Sequence, residues 1–579
     1  MALNDTMKDI TKLLLPVGSL RRKSVRGILV KLGLKSNILA GYYNTWFSQQ
    51  NENLRFREQL NYTSTDTLIT IVVPVFNPAP QHIEELVYSI ISQAYQNWEL
   101  ILVNASSKPE TREIINKYNL KDDRIKVFEV ENGGISHNTN YGIKRANGDY
   151  IAFVDHDDVL EPFALYEIVR AIINTSADVI YTDEDKISEN GEIYFDPHFK
   201  PDWSPDLLTH VNYINHLTVI KKNLINKAGL LDQTKDGAQD YDLLLRVTDL
   251  KPIITHVPKV LYHWRATQNS TAQDFSSKRN ITDAGRASLE EHFSRQGLTT
   301  KVNPKKDSPG FYELQFKSYE KVSLIITPFA SDALLRIYTE LLIKRTLIDK
   351  LHVEIITPTG SIRSGLKVDN LEIKTLPTGN SFLGDAISSV SNDKVVIISQ
   401  VVLPQDKNWL ERLCGPLFQM HVGAVAPLIL RNSLVIEDCG LVRNAYGQLM
   451  PLFTNRPAFH NQTFFGNTDW VRDVDALTGA IVATSTKLLH QFLISNKTNN
   501  YARDLLKNFT ENVAKLGKYN VILTDVTFDN YAIRLKPDIS KESLFNINIL
   551  PIGNDYELYS PESSAINILT KIFEQEEVL

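Results

Sequence analysis

The sequence predicts an α/β protein in which two tandem, Rossmann-like domains follow an N-terminal helical segment, each domain built on a doubly wound, mostly parallel sheet. Three observations predict this class. Short apolar, β-branched runs alternate with segments of helical spacing from Leu68 onward, the same rhythm restarts at Val322, and the first 60 residues lack it. We expect the helical segment at 1–62, the first domain at 63–318 and the second at 319–579, because 579 residues are too many for one hydrophobic core.

The N-terminal segment is basic as well as apolar. Residues 1–40 hold eight basic side chains against Asp5 and Asp9, with Leu, Ile and Val interleaved among them. This pattern fits an amphipathic helix that lies on an anionic membrane surface. It fits equally well a solvated helix packed against the main body of the protein.

The composition is that of an ordinary globular protein, with 43% hydrophobic and 22% charged residues. A net charge of -6 disfavours a nucleic-acid partner over the whole surface. Two cysteines provide neither a disulfide framework nor a zinc cluster, which fits a reducing compartment. No uninterrupted apolar run reaches the roughly 20 residues that span a bilayer. We therefore expect a cytoplasmic protein, or one attached peripherally to the inner face of the cell membrane.

The first domain opens with four buried strands separated by helices, in the order of a doubly wound sheet. The predicted strands are 68–75, 99–103, 125–130 and 150–154. The predicted helices are 82–93, 111–118 and 135–146. Ligands of such sheets bind at the carboxyl ends of the strands, so the residues that follow each strand are the candidates for a site.

The second domain repeats this rhythm. The run 322–327 followed by Pro328 is similar to 71–73 followed by Pro74, and 394–398 is similar to 150–154. The offset is about 250 residues in both cases, which indicates two related domains in tandem. Two unrelated α/β domains would be the alternative.

An acidic cluster, Asp155 to Asp158 with His156 inside it, follows the fourth strand directly. Three carboxylates within four residues repel one another unless a cation neutralises them, and carboxylate oxygens suit Mg²⁺ or Mn²⁺. A divalent ion held there could bind a diphosphate. The alternative is an acidic turn that caps the next helix, since Asp is a good N-cap.

An ordered set of short phrases surrounds this cluster between about residues 68 and 272. They lie at 73–77, 89–93, 98–103, 132–136, 148–150, 181–186, 200–203, 239–243 and 261–265. Together they resemble the family 2 glycosyltransferases, whose nucleotide-sugar-binding fold is called GT-A. The resemblance implies two tandem GT-A-like domains of the kind found in bacterial enzymes that build cell-wall, capsule or O-antigen polysaccharides.

The resemblance implies an inverting, metal-dependent transfer from a nucleotide-diphosphate sugar, with UDP- or dTDP-sugars as donors and a glycan or lipid-linked oligosaccharide as acceptor. Asp155 and Asp157 match the DxD element of the family and are expected at the metal, Mn²⁺ or Mg²⁺. Asp240 matches the catalytic base, which takes the proton of the acceptor hydroxyl. His263 is expected as a further metal or phosphate contact, and a hydrogen-bonded structural histidine is the equally weighted alternative.

The donor-binding set that the resemblance implies is spread over the strand ends and the later phrases. It consists of Pro74, Val75, Asn77, Asn104, Asn132, Gly134, Asn140, Asp155, His156, Asp183, Asp185 and Arg265. For Asp183 and Asp185, a solvated loop is the competing interpretation. Asn104 departs from the family, which usually has an Asp that contacts the nucleotide base; its amide still offers a donor and an acceptor.

The second half resembles the same family at 423–427 and 476–480, but the position of the acidic cluster reads Ser399, Gln400, Val401 and Val402. We expect a catalytically silent second domain that packs on the first or grips a glycan, with Asp504 as the remnant of the base position.

Two other functions compete with glycosyl transfer. A non-catalytic glycan- or nucleotide-binding protein would have no need of the Asp157 and Asp240 pair. A nucleotidyltransferase is disfavoured because the first strand is followed by no glycine-rich, lysine-bearing phosphate loop.

Overall fold

The computed structural model describes residues 66–267 and, with short gaps, residues 275–530, together with Tyr43 and Phe47. The basic segment 1–40 lies outside the described residues, as does most of the predicted helical segment 1–62; Tyr43 and Phe47 themselves are helical. No helix in the described ranges is long and apolar enough to cross a membrane.

The first half holds eleven strands in the described ranges: β1 (Ile69–Val75), β2 (Trp98–Asn104), β3 (Ile125–Glu129), β4 (Tyr150–Phe153), β5 (Val159–Leu160), β6 (Val179–Ser188), β7 (Tyr194–His198), β8 (Thr218–Lys221), β9 (Ile254–Ala266), β10 (Thr300–Pro304) and β11 (Tyr312–Phe316). Its helices are α1 (Pro80–Ile91), α2 (Pro109–Asn119), α3 (Ile135–Arg145), α4 (Ala164–Thr175), α5 (Pro205–Leu208), α6 (Lys222–Ala228), α7 (Gln239–Thr248) and α8 (Phe275–Arg295), with a 3₁₀ turn at Gln233–Lys235. The four strands and three helices predicted for 68–154 are all present.

The second half has the strands β12 (Lys321–Ile326), β13 (His352–Pro358), β14 (Leu371–Leu376), β15 (Lys394–Ile398), β16 (Leu403–Pro404), β17 (Val422–Arg431), β18 (Val435–Asp438), β19 (Leu441–Arg443), β20 (Leu449–Pro451), β21 (Gln462–Thr463), β22 (Gly466–Asn467), β23 (Arg472–Val474), β24 (Ile481–Ser485) and β25 (Tyr519–Asp529). Its helices are α9 (Asp332–Lys344), α10 (Phe382–Ser389), α11 (Trp409–Cys414), α12 (Thr486–Ser495) and α13 (Ala502–Lys515), with a 3₁₀ turn at Gly415–Phe418.

The two halves share one sheet topology, which confirms the predicted fold class. The first sheet has the order β3-β2-β1-β4-β8-β6-β9-β5, and the second has the order β14-β13-β12-β15-β24-β17-β25-β16. In each sheet the first four strands of that order are parallel, and a later strand pairs antiparallel with the fourth. The domain limits at residues 62 and 318 stay predictions.

Each sheet is covered by helices on both faces, as a doubly wound sheet requires. In the first half, α1 and α4 bury Ile83, Leu86 and Ile168 against one face. The other face is covered by α3 and α7, through Ile143 and Leu245. This packing leaves the carboxyl ends of β1, β2, β3 and β4 together at one edge.

A buried polar network occurs at equivalent places in both sheets. In the first, Thr70 Oγ1 donates to Glu99 Oε1 at 2.6 Å, and Lys126 forms an ion pair with the same carboxylate. In the second, Ser323 and Lys374 contact Glu354 in the same way. Thr70 pairs with Glu99 across the strands, as Ser323 pairs with Glu354, so the repeat extends to individual side chains.

Candidate functional site

The acidic cluster forms the loop between β4 and β5, and its carboxylates have different surroundings. Asp155 and Asp157 are half-buried, and no hydrogen-bond donor among the described residues contacts either carboxylate. Asp158 is fully buried; it accepts a hydrogen bond from the Tyr262 hydroxyl and one of 2.7 Å from the backbone N–H of Arg265. Burial, together with the charges of Asp155 and Asp157, raises the pKa of Asp158 well above its ordinary value. Asp158 therefore anchors the loop, and the other two carboxylates remain available to a ligand.

Arg265 holds this loop from behind. Its Nε donates to the carbonyl oxygen of Asp157 at 2.6 Å, and its Nη2 donates to Glu85 Oε2 at 2.5 Å. Its Nη1 also donates to the carbonyl oxygen of Glu189 at 3.1 Å, and the side chain is 1% exposed. The geometry therefore gives Arg265 a bracing role, whereas the resemblance implied direct contact with the donor. His156 braces the other side, with Nδ1 at 3.2 Å from the carbonyl oxygen of Pro74 at the end of β1.

His263 lies in a buried cluster under the loop. Its Nδ1 donates to Asp185 Oδ1 at 2.5 Å, and its Nε2 donates to Glu161 Oε1 at 3.1 Å. Burial lowers the pKa of His263, but the two carboxylates outweigh burial and raise that pKa to about 10. Both ring nitrogens are thus engaged, and the geometry favours the structural histidine over the predicted metal contact. Asp185 also accepts 2.7 Å from the hydroxyl of Tyr43, so it is a core residue rather than part of a solvated loop or a sugar contact.

Asp183 lies on β6 and is also buried, so the solvated-loop interpretation is wrong for it as well. Its Oδ1 accepts 2.8 Å from the backbone N–H of Lys200 and 2.9 Å from His256 Nε2. Its Oδ2 is buried and has no hydrogen-bond partner in the described part of the chain. Asp183 therefore keeps one acceptor oxygen unused.

Asp240 is the second residue of α7 and accepts a hydrogen bond of 2.9 Å from Asn212 Nδ2. Burial raises the pKa of Asp240, the charge of Asp155 raises it further, and His216 acts in the opposite direction. The carboxylate predicted as the base and the acidic loop are thus close enough to interact electrostatically. Asn212 and His216 could not be predicted from the sequence, because neither lies in one of the phrases that carry the resemblance.

The ends of β1 and β2 meet beside this loop. Asn77 follows β1 with a left-handed backbone (φ 47°), and its side-chain oxygen accepts 3.0 Å from the N–H of Ser107. Asn104 ends β2; its Nδ2 donates to Glu129 at 3.0 Å, and its Oδ1 accepts 3.1 Å from the N–H of Ser106. Both ends of the Asn104 amide are therefore occupied, and Glu129, an acidic residue at the end of the third predicted strand, is the nearby carboxylate that sequence reasoning missed. Pro74 and Val75 lie at the end of β1 itself.

The loop before α3 contains the next predicted set. Asn132 Oδ1 accepts 3.1 Å from the N–H of Gly134, which has φ 93°. This backbone conformation favours glycine, and a Cβ on Gly134 would also lie 2.7 Å from Asp236 Oδ2, so the Asp236 side chain would have to shift. Asn140, on α3, exchanges two hydrogen bonds with the backbone of Leu231, at 2.8 and 2.9 Å. Asn140 thus ties α3 to the segment that leads to α7, and its amide is used within the protein.

The residues present fit a hard divalent cation that is completed by a substrate. In the described ranges, no three His, Cys, Asp or Glu side chains converge in a way that could hold a metal ion unaided. Mg²⁺ in particular is commonly held by one or two carboxylates together with waters and substrate phosphates. Asp155 and Asp157, two half-buried carboxylates without protein donors in the described residues, match that donor set.

In the part of the second half that the structure describes, the residues that directly follow β15 include no carboxylate in place of Asp155 or Asp157. Thr70 pairs with Ile151 in the first sheet and Ser323 pairs with Val395 in the second, which makes Ser399 the equivalent of Asp155 and Gln400 the equivalent of His156. Ser399 Oγ donates to the carbonyl oxygen of Gly479 at 2.6 Å, a contact within the second half. The register therefore agrees with the alignment made from the sequence alone.

Residues 70–233 match the model of the family described as glycosyl transferase family 2. An uncharacterized protein of Sinorhizobium fredii, y4gI, is 34% identical over 414 residues, which cover 67% of this chain and 45% of the relative. The O-antigen biosynthesis protein RfbC of Myxococcus xanthus is 29% identical over 441 residues, which cover 74% of this chain and 34% of that protein. The chain thus spans less than half the length of these two relatives.

Among solved structures, one that is similar is the crystal structure of S. aureus TarS 1-349 in complex with UDP-GlcNAc. It is 20% identical, has a TM-score of 0.31, and covers 39% of this chain and 72% of that one.

Proposed function

We propose, from the match of residues 70–233 to the model of glycosyl transferase family 2, that this chain is an inverting, metal-dependent glycosyltransferase. It would move a sugar from a nucleotide-diphosphate sugar to a hydroxyl of a glycan or lipid-linked oligosaccharide. The observation that carries the proposal is that Asp240, at the start of α7, lies close enough to the loop carboxylate Asp155 for the charge of Asp155 to raise its pKa. Asp157 follows two residues later in the same loop, and both loop carboxylates are half-buried.

Each carboxylate has its own task in this mechanism. Asp157, with Asp155 beside it, would hold Mn²⁺ or Mg²⁺ at the diphosphate of the donor; the cation, when bound, stabilises the negative charge of the departing diphosphate. Asp240 takes the proton of the acceptor hydroxyl as that oxygen attacks the anomeric carbon. One displacement from the face opposite the leaving group inverts that carbon.

Bracing residues keep the two loop carboxylates in place during the reaction. Arg265 binds the carbonyl oxygen of Asp157, and Asp158 ties the loop to β9. Neither group is proposed to touch the donor.

The role we propose is in bacterial surface polysaccharide synthesis, at the inner face of the cell membrane. The family of the first domain and the similarity to an O-antigen biosynthesis protein over 441 residues support this role. The basic residues 1–40 support a peripheral contact with anionic lipid. The second half is proposed to be catalytically silent, since Ser399 and Gln400 stand where the acidic loop would be.

The donor site is tested by thermal unfolding with uridine, deoxythymidine and guanosine diphosphate sugars, with and without Mn²⁺. A ligand at about 100 times its Kd stabilises the folded state by roughly 2.7 kcal/mol, which is a measurable rise in Tm. We expect a Mn²⁺-dependent rise for one nucleotide class and its loss in Asp157→Asn. No rise with any nucleotide sugar would favour a non-catalytic glycan-binding protein instead.

A further inference from the structure

The short helix α5 of the first domain is held by a carboxylate of the second. Ser204 Oγ donates to Asp473 Oδ2 at 2.7 Å, and the backbone N–H of Asp206 donates to the same oxygen at 3.1 Å. Asp473 lies on β23, which pairs with β25 at the far side of the second sheet. The two residues before and at the start of α5 are thus fixed by one side chain from the other half of the molecule.

Asp206 completes the exchange in the opposite direction. Its Oδ1 accepts 2.9 Å from Gln419 Nε2 and its Oδ2 accepts 3.0 Å from His421 Nε2, both from the second half. The side chain is 2% exposed. Burial alone would raise the pKa of Asp206, but His421 holds it below its ordinary value. Burial and the charge of Asp206 raise the pKa of Asp473 well above its ordinary value. The contact therefore pairs the Asp206 carboxylate with His421, while Asp473 accepts hydrogen bonds from Ser204 and from the backbone of Asp206.

The segment fixed in this way leads directly to the proposed base. Tyr241, the residue after Asp240, donates its hydroxyl to the carbonyl oxygen of Leu208 in α5. Asn212, four residues after the end of α5, donates to Asp240 Oδ2 at 2.9 Å. Both hydrogen bonds join α5 and its C-terminal extension to the start of α7, so a displacement of α5 moves the donor of Asp240.

We propose that Asp473 is a positioning residue for the transfer reaction: by fixing α5, the second domain keeps Asn212 against Asp240. This inference rests on the proposed function. It gives the silent domain a task in the first domain's chemistry, since a hydrogen bond to the charged form of a carboxylate stabilises that form and sets its orientation.

The test compares full-length variants by pH profile of kcat and by Tm. Asp473→Ala and Asn212→Ala should each lower kcat by between about 10-fold and 100-fold, the cost of a misplaced catalytic group. Each should also move the acidic limb of the profile to higher pH, because Asp240 loses a donor to its charged form. The double variant should be no slower than Asn212→Ala, since both changes act through one hydrogen bond.

Two further variants separate positioning from plain stability. Asp473→Asn keeps an acceptor oxygen for Ser204 and Asp206 and should retain the wild-type rate and profile. Asp529→Ala removes an aspartate that is 2% exposed and whose described contacts, with Ser433 and Gln405, lie within the second half. It should lower Tm and leave the acidic limb in place.

The inference is overturned if Asp473→Ala keeps the wild-type kcat and limb, or if Asp529→Ala shifts the limb equally. If the wild type itself transfers no sugar, the proposed function fails, and amide hydrogen exchange then decides the positioning alone. Faster exchange at 206–212 in Asp473→Ala than in Asp529→Ala supports the coupling, and equal exchange rejects it.

Discussion

Asp240 is the side chain whose loss should be felt in rate rather than in donor binding. Asp240→Asn keeps the size of the side chain and its contact with Asn212 but removes the proton acceptor. General base catalysis contributes about 10²- to 10⁴-fold, and we expect kcat to fall within that range. Steady-state kinetics measure the loss, and the Mn²⁺-dependent thermal shift with the donor should persist.

The pH profile provides the control for this assignment. Because burial raises the pKa of Asp240, the base is protonated at a higher pH than a free aspartate, whose pKa is about 3.9. The wild-type rate should therefore fall with decreasing pH along a limb that lies above that value. If, by contrast, the rate of Asp240→Asn stays within two-fold of the wild type, Asp240 is not the catalytic base.

The outcome at single residues depended on whether the partner side chains were visible in the sequence. Asp155 and Asp157 follow a strand end, and Asp240 opens a helix, so the phrases around them were enough to select them as candidates. The structure places Asp155 close enough to Asp240 to raise its pKa. His263 and Arg265 could not be assigned in the same way, because their partners, Glu161 and Glu85, come from distant segments without a motif. The role of a histidine or arginine next to a site depends on which carboxylates it contacts in the folded protein.

At the level of elements, the network of Glu99 makes the stability of the first sheet depend on acid. Burial raises the pKa of Glu99, but the hydrogen bonds from Lys126 and Thr70 outweigh burial and lower that pKa to about 2. The folded-state pKa lies below the unfolded value of about 4.3, so this stabilisation is present above pH ~4.3 and is lost as pH falls toward 2.

Glu99→Gln should lower the free energy of unfolding at pH 7 by about 1–3 kcal/mol, the cost of leaving a buried polar group unpaired. Denaturant titrations at a series of pH values measure it, and the difference from wild type should shrink below pH ~4. Glu354→Gln, the same change in the second sheet, is the matched variant. A difference that stays constant down to pH 2 would mean that the charge of Glu99 contributes nothing.

Elements with regular apolar runs were predictable, and those with carboxylates inside a strand were not. The strands 68–75, 99–103, 125–130 and 150–154 appear as β1 to β4 with no limit moved by more than one residue. By contrast, the run at 181–186 has three acidic residues, which sequence reasoning left open as a solvated loop. It forms β6, because His256, His263 and Lys200 neutralise its carboxylates in the interior.

At the scale of the molecule, two residues of the N-terminal segment, Tyr43 and Phe47, contact the first domain. Tyr43 binds Asp185, and Phe47 lies with its ring centroid 5.4 Å from that of His263. Deletion of residues 1–40 leaves both contacts, so we expect an unchanged Tm and weaker binding to liposomes that contain anionic lipid. Flotation assays at two salt concentrations measure the binding. Unchanged flotation would exclude a membrane role for the basic residues.

The second domain should be inactive as a catalyst, because the strand register places Ser399 and Gln400 where the first domain has Asp155 and His156. Its fourth strand, β15, ends as β4 does, yet Ser399 and Gln400 follow it, and neither can replace a carboxylate at a cation. Asp504, on the exposed side of α13, therefore has no carboxylate-bound cation beside it with which a catalytic base would act. Asp504→Asn should leave kcat within two-fold of the wild type, measured beside Asp240→Asn as the matched substitution in the first domain. A loss comparable to that of Asp240→Asn would mean that the second domain carries chemistry of its own, and its contact with α5 would then join two active halves.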